Sequence, residues 1–186
     1  MQHLSKWRLL KSQIVFNHQW YRLRQDQVEL PNGTVIDDYF VSFRPDVALV
    51  LPITNQQEIV FVRQYRHGVG EVLLELPAGT FNPNEEEAPS AALRELEEET
   101  GYSSKALSPL GVLYDNPVKD TNKIHLFIAK DVQKLGEQTL DVTEEIEVIL
   151  VPIQDAIEKV KKGEICVSGT IAAICLGIQF LQEINH

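Results

Sequence analysis

The chain has 186 residues, 44% of them hydrophobic, enough to bury one good core as a single domain with an elaboration. Its formal net charge of −10, with 17 Lys and Arg against 27 Asp and Glu, leaves little for the basic face that grips a phosphate backbone, so nucleic acid is not an expected partner. Two cysteines, Cys166 and Cys175, make neither a disulfide framework nor a zinc site, and the first residues carry no charged-then-apolar leader pattern, so a reducing cytoplasm is the expected setting.

From Trp7 to Phe43 the pattern alternates in strand fashion, with Pro31-Asn32-Gly33 as the turn between Gln27–Leu30 and Thr34–Phe43, which predicts a small antiparallel sheet. Val47–Ile53 and Ile59–Val62 read as buried strands around a turn at Asn55–Gln57, followed by a loop at Arg63-Gln64-Tyr65-Arg66. Pro89 suits a first helical turn and Gly101 the position after the last, so a helix is expected from about Ala88 to Thr100. Gly111–Tyr114, Ile124–Ala129 and Ile146–Ile153 read as further strands, and Gln154–Lys162 and Thr170–Ile184 as helices, the first stopped by Gly163. The apolar span Ile165–Leu181 raises a membrane question, but it is short and interrupted by Ser168, Gly169, Thr170 and Gln179, and it reads as a buried core helix. Strands and helices mixed in this order suit an α/β fold, a sheet sandwiched between helices. Residues 1–45 form an N-terminal elaboration and residues 46–186 the main domain.

The chemistry concentrates in Arg94-Glu95-Leu96-Glu97-Glu98-Glu99-Thr100-Gly101. On a helix, residues three and four apart share a face, so Glu95, Glu98 and Glu99 project together while Ala92 and Leu96 pack inward. A bare run of Glu is usually a solvated face. Like charges at this spacing cost a helix roughly 0.2–0.5 kcal/mol per pair, and a hard divalent cation gives a reason to keep them. Arg94 lies one turn before Glu98, where it can hold that carboxylate in place.

With its context, Gly79 to Tyr102, this stretch resembles the box of the Nudix hydrolase family: a Gly, a Glu, then Arg-Glu-aliphatic-any-Glu-Glu-any-Gly. Counted from Gly79 the first Glu is Glu85; counted back from Arg94 it is Glu86, so the loop before the helix carries one extra residue, and Glu86 is the better match. Tyr102 replaces the usual aliphatic. Arg63-Gln64-Tyr65-Arg66 followed by Glu75-Leu76-Pro77-Ala78-Gly79 resembles the ADP-ribose pyrophosphatase branch, as does Pro117, fifteen residues beyond Tyr102. That branch usually has Ser-Pro-Gly where this chain has Asn116-Pro117-Val118.

The resemblance implies an α/β/α sandwich with a mixed sheet, and a homodimer built through the N-terminal antiparallel sheet. It implies Glu95 and Glu99 as direct metal ligands, Glu98 as a shared or second ligand and catalytic group, and the Ala78 carbonyl completing the site. Oxygen donors suit magnesium, with manganese as a substitute, and two or three ions are expected with substrate bound. A general base is implied in the acidic loop Asp141–Glu147, as Glu144 or Glu145. Arg63 and Arg66 are either phosphate-binding residues or surface salt bridges. Glu75 either holds a ribose hydroxyl or orients an arginine, and Pro117 shapes the substrate loop. Tyr39, Phe40 and Tyr65 either stack an adenine or belong to the core. His67 and His125 are given no role.

The expected activity is magnesium-dependent hydrolysis of a nucleoside diphosphate sugar, ADP-ribose to AMP and ribose 5-phosphate foremost, with GDP-mannose, NADH or FAD as alternatives. A reading of another class is a non-catalytic sensor resembling ligand-binding regulators. Such a regulator is expected to add a basic DNA-binding segment and often a damaged box, and this sequence has neither. An RNA-decapping role is disfavoured by the acidic balance.

Overall fold

The structure, a computed structural model, describes residues 4–184, the Ile184 side chain excepted. It divides into two compact units, one made of the chain up to residue 45 with residues 114–122, the other of residues 46–113 with those from 123 onward.

The first unit is a three-stranded antiparallel meander of β1 (Arg8–His18), β2 (Tyr21–Glu29) and β3 (Val35–Phe43). The expected turn falls between β2 and β3, where Gly33 takes φ +84° and the Asn32 side chain accepts the Thr34 N–H at 3.0 Å. The segment 114–122 docks onto β3: Ser42 N–H donates to Lys119 O at 2.7 Å, Thr121 N–H to Ser42 O at 3.1 Å, and the Tyr39 hydroxyl to Val118 O at 2.6 Å. Every residue of β1 is exposed, Leu9, Leu10, Ile14, Val15 and Phe16 included.

The second unit contains β4 (Asp46–Thr54), β5 (Glu58–Arg66), β6 (Glu71–Glu75), β7 (Ala78–Phe81), α1 (Ala88–Thr100), β8 (Tyr102–Ser103), β9 (Leu107–Tyr114), β10 (Lys123–Lys134), β11 (Ile146–Pro152), α2 (Ile153–Lys161) and α3 (Ser168–Ile184). The sheet runs β11-β5-β4-β10-β8, with β6 beside β5, β7 beside β4 and β9 beside β10. It is mixed, because β4 and β10 pair in parallel while β5 pairs antiparallel with both β4 and β11.

The central strands are apolar on both faces, as strands covered by helices on two sides must be. Their period of two sorts the core into two layers. Leu49, Leu51 and Ile53 of β4, Ile59 and Phe61 of β5, and Leu126 and Ile128 of β10 pack with Ala156 of α2 and Ala173 and Ile174 of α3. Ala48 and Val50, Val60, and Phe127 and Ala129 face the other way, onto Ala91, Ala92 and Leu96 of α1. This is an α/β/α sandwich with a separate antiparallel sheet before it. Among the described residues no helix is long and apolar enough to cross a membrane.

One local expectation is corrected. Arg63-Gln64-Tyr65-Arg66 is not a loop but the end of β5, paired residue for residue with β6 from Arg63↔Leu74 to Arg66↔Glu71. Its polarity reflects a strand end with one wet face: Arg63 and Tyr65 are exposed opposite the buried Gln64, and Arg66, the last residue, is exposed at the strand's end. Elsewhere α1 has the expected bounds, and β9 and β10 are longer than their apolar runs suggest.

Candidate active site

The site is assembled where β7 meets the inner face of α1. Ala78 pairs with Leu49 and Gly79 with Ala48, so the Glu75-to-Gly79 segment is fixed to the middle of the sheet. Pro89 sits in the first turn of α1, and Gly101 ends the helix at φ +72°, its N–H donating to Glu97 O at 2.9 Å. Ala91, Ala92 and Leu96 are fully buried under the helix. Their packing fixes the rotation of α1 and aims Glu95 and Glu99 back at β7.

Gly79 is required at this contact. A Cβ there would lie 1.9 Å from the Glu95 Cδ, so only a glycine leaves room for the carboxylate against the backbone. Glu99 is 4% exposed and accepts the Ala78 N–H at 3.1 Å. Burial pushes its carboxyl up to about 8, the Ala78 N–H opposing, while nearby carboxylates add to the rise. Burial also raises Glu95, against the pull of Arg94.

Arg94 gathers the rest. Its Nε and Nη2 fork onto Glu86 at 3.1 and 3.0 Å, and its Nη1 reaches Glu95 at 2.7 Å and Glu98 at 2.9 Å. These contacts raise the guanidinium further above its ordinary range, the bond to Glu86 contributing most. The fork therefore selects Glu86, and the extra residue of the loop is taken up in the turn where the Glu85 and Glu86 N–H groups both donate to Asn82 O, at 2.9 and 3.0 Å.

Arg66 is held by Glu75, itself 7% exposed, through Nε at 3.0 Å and Nη2 at 2.6 Å. Of the two alternatives for Glu75, the contact present is the one that orients an arginine. The Glu75 hydrogen bond raises Arg66, and the charges of Glu99 and Glu144 add to it. Glu144 is half-buried, and its negative charge bears on Glu95, Glu99 and Arg66 alike.

Glu145 is exposed and lines a cavity of about 360 Å³ with Arg63, Tyr65, Val72 and Glu147. There Arg63 pairs with Glu147 through Nε at 3.1 Å and Nη2 at 2.5 Å, both side chains about half exposed. Pro117 belongs to the first unit, in the segment docked on β3. Tyr39 is engaged there with Val118 O and edge-on with Trp7, whereas Phe40 and Tyr65 are exposed. His125 contacts Asp46 at 3.0 Å and His67 contacts Tyr65 at 3.2 Å.

The donors gathered on the inner face of α1 are carboxylate oxygens, the kind a hard divalent cation takes. Among the described residues no group of three or more His, Cys, Asp or Glu side chains is already arranged as a metal cage, since Glu95 and Glu98 turn to Arg94. The Glu95 carboxylate seated against Gly79 and the buried, weakly solvated Glu99 nonetheless fit such an ion: a carboxyl held near neutrality by burial ionises readily beside a cation.

Three contacts carry no sequence signal. Thr139 N–H donates to Glu98 O at 2.8 Å, and the Gln138 amide nitrogen donates to Glu99 O at 2.6 Å and to Ile146 O at 3.1 Å. A lone Gln in a polar stretch has neither periodicity nor motif to mark it.

Residues 43–168 match the family profile described as NUDIX domain, and residues 7–42 the one described as Nucleoside diphosphate sugar hydrolase N-terminal domain. The chain is 35% identical over 183 residues to an ADP-ribose pyrophosphatase of Bacillus subtilis (strain 168), covering 98% of this chain and 95% of that one. It is 33% identical over 183 residues to the methanol dehydrogenase activator of Bacillus methanolicus, covering 98% and 96%. A solved structure described as ADP compounds hydrolase has the same fold, with a TM-score of 0.87 at 21% identity, covering 99% of this chain and 98% of that one.

Proposed function

We propose a function from one premise: the chain belongs to the NUDIX family, on its ADP-ribose pyrophosphatase branch, and is a Nudix hydrolase. The reaction is magnesium-dependent hydrolysis of the pyrophosphate bond of a nucleoside diphosphate sugar, ADP-ribose foremost, giving AMP and ribose 5-phosphate. The observation that carries this reading is the carboxylate face of α1 set against Gly79 and Ala78, with Glu99 buried and Arg94 bridging Glu86, Glu95 and Glu98.

Glu95, Glu98, Glu99 and the Ala78 carbonyl are the groups that hold the metal. A magnesium ion held there, or manganese in its place, would supply positive charge to the pyrophosphate oxygens and make water more acidic. Arg94 holds Glu98 on the helix face and Glu86 in the loop before it, which keeps these carboxylates together beside the place where the metal would bind. Arg66, steadied by Glu75, binds a phosphate oxygen, and Arg63 joins it by exchanging Glu147 for substrate. A carboxylate oxygen of Glu144 takes the proton from the attacking water. The choice of Glu144 over Glu145 is supported by the charge it exerts on Glu95, Glu99 and Arg66 and by the exposure of its neighbour.

The assembly is a homodimer, and its setting the cytoplasm; the dimer is supported by the apolar side chains of β1, about half exposed, which a second copy would cover. Pro117 shapes the substrate loop.

The test is a panel of ADP-ribose, ADP-glucose, GDP-mannose, NADH, FAD and a nucleoside triphosphate, incubated with the protein and magnesium while nucleoside monophosphate release is followed. Preference for ADP-ribose is expected. Preference for GDP-mannose, NADH or FAD would reassign the substrate, and binding of ADP-ribose without turnover of any member would make the chain a sensor.

A further inference from the structure

We propose that Gln138 is the positioning residue that sets the acidic loop against the metal-binding helix, an inference that rests on Glu144 being the base. A helix leaves its last carbonyls without intrahelical partners. At the end of α1 the carbonyls anchor the next functional segment: Glu98 O takes the Thr139 N–H at 2.8 Å, and O of the capping Gly101, just past the helix, takes the Leu135 and Gly136 N–H groups at 2.9 and 3.2 Å. Glu99 O, on the residue whose carboxylate is buried at the site, is taken by a side chain, the Gln138 amide, at 2.6 Å.

The same amide nitrogen donates to Ile146 O at 3.1 Å, at the first residue of β11. Both acceptors are carbonyls, so only the NH2 end of the amide can face them, which fixes its orientation. Residues 140–145, the loop that bears Glu144, are thereby closed at the base: Thr139 is fixed to the helix at one end, and at the other Ile146 is tied by Gln138 to the same helix turn. Within the loop the Glu144 N–H donates to Asp141 O at 2.9 Å, and the Glu144 carboxylate accepts the Asp141 N–H at 3.0 Å. One half-buried side chain thus sets the distance between the helix that carries Glu95 and Glu99 and the loop that carries Glu144. Misplacement of a reacting group by about 1 Å can cost on the order of 100-fold in rate.

The experiment compares wild type, Gln138→Met, Glu144→Gln and the double variant with ADP-ribose and magnesium, with thermal melts to verify folding. Gln138→Met keeps length and removes both donors. It is expected to lower kcat by about 10- to 100-fold while KM for ADP-ribose and the magnesium concentration for half activation stay within about twofold. In the Glu144→Gln background the same change is expected to alter kcat by less than about threefold, because the group it positions is gone. If Gln138→Met fails to fold, Gln138→Asn, which keeps the donor but is one methylene shorter, is expected to show a smaller loss in kcat with the same unchanged KM. A slow Glu144→Gln beside a Gln138→Met with wild-type kcat overturns the role of Gln138 alone. An equal fold-loss in both backgrounds overturns it too, by showing an effect through the helix. Wild-type turnover by Glu144→Gln removes the base reading and the positioning role with it.

Discussion

If Glu99 is a metal ligand as proposed, its protonation is coupled to cation binding. Its folded value of about 8 lies above the ordinary 4.5, so between those values the folded protein holds a proton that the unfolded chain releases. The stability of the metal-free protein is therefore greatest below the lower value and falls as pH rises toward the upper one. Calorimetric melts in chelator are expected to show this fall, and Glu99→Gln, which stays neutral, is expected to remove most of it. Cation binding needs the carboxylate. Apparent magnesium affinity is therefore expected to rise up to about tenfold per pH unit below the Glu99 value and to level above it, with proton release measurable by titration in buffers of different ionisation heat. A pH-independent affinity would mean that Glu99 is not a ligand. At this scale the sequence was partly legible: the helical spacing marked Glu95, Glu98 and Glu99, and the count back from Arg94 favoured Glu86. Glu144 and Glu145 could not be told apart, because they are neighbours on a loop and only the fold decides which one is half-buried.

At the scale of elements, α1 was legible to its ends because Pro89 and Gly101 act through local backbone geometry. The end of β5 was not, since a strand with one wet face and polar residues there has the composition of a loop. Two glycines separate function from stability. Gly79→Ala places its Cβ against the end of the flexible Glu95 side chain rather than against backbone, so it is expected to lower cation affinity with little change in melting temperature. Gly101→Ala is different: it would put a Cβ in the left-handed region and 2.3 Å from Gly136 O, so it is expected to destabilise the fold by at least about 1 kcal/mol. Leu96→Ala removes a fully buried side chain between helix and sheet, and a loss of about 2–5 kcal/mol is expected in denaturant unfolding.

At the scale of the molecule, the exposed apolar side chains of β1 support the dimer that the resemblance implies. Sedimentation equilibrium is expected to give twice the chain mass of 21.1 kDa, and Phe16→Asp or Ile14→Asp to shift it toward the monomer. A wild-type monomer at micromolar concentration would exclude that use of the face. The sandwich itself was legible from the order of strands and helices, whereas the docking of residues 114–122 onto β3 was not, because it rests on backbone hydrogen bonds and on single side-chain contacts, such as Tyr39 hydroxyl to Val118 O, that no local pattern marks. The carboxylate face of α1 is the proposed place where magnesium enables hydrolysis. It is tested by the rate of AMP release from ADP-ribose, with magnesium and with chelator, by wild type and by Glu98→Gln of unchanged melting temperature. Release that requires magnesium and is abolished by Glu98→Gln is the expected result; AMP release by Glu98→Gln at the wild-type rate would contradict the account.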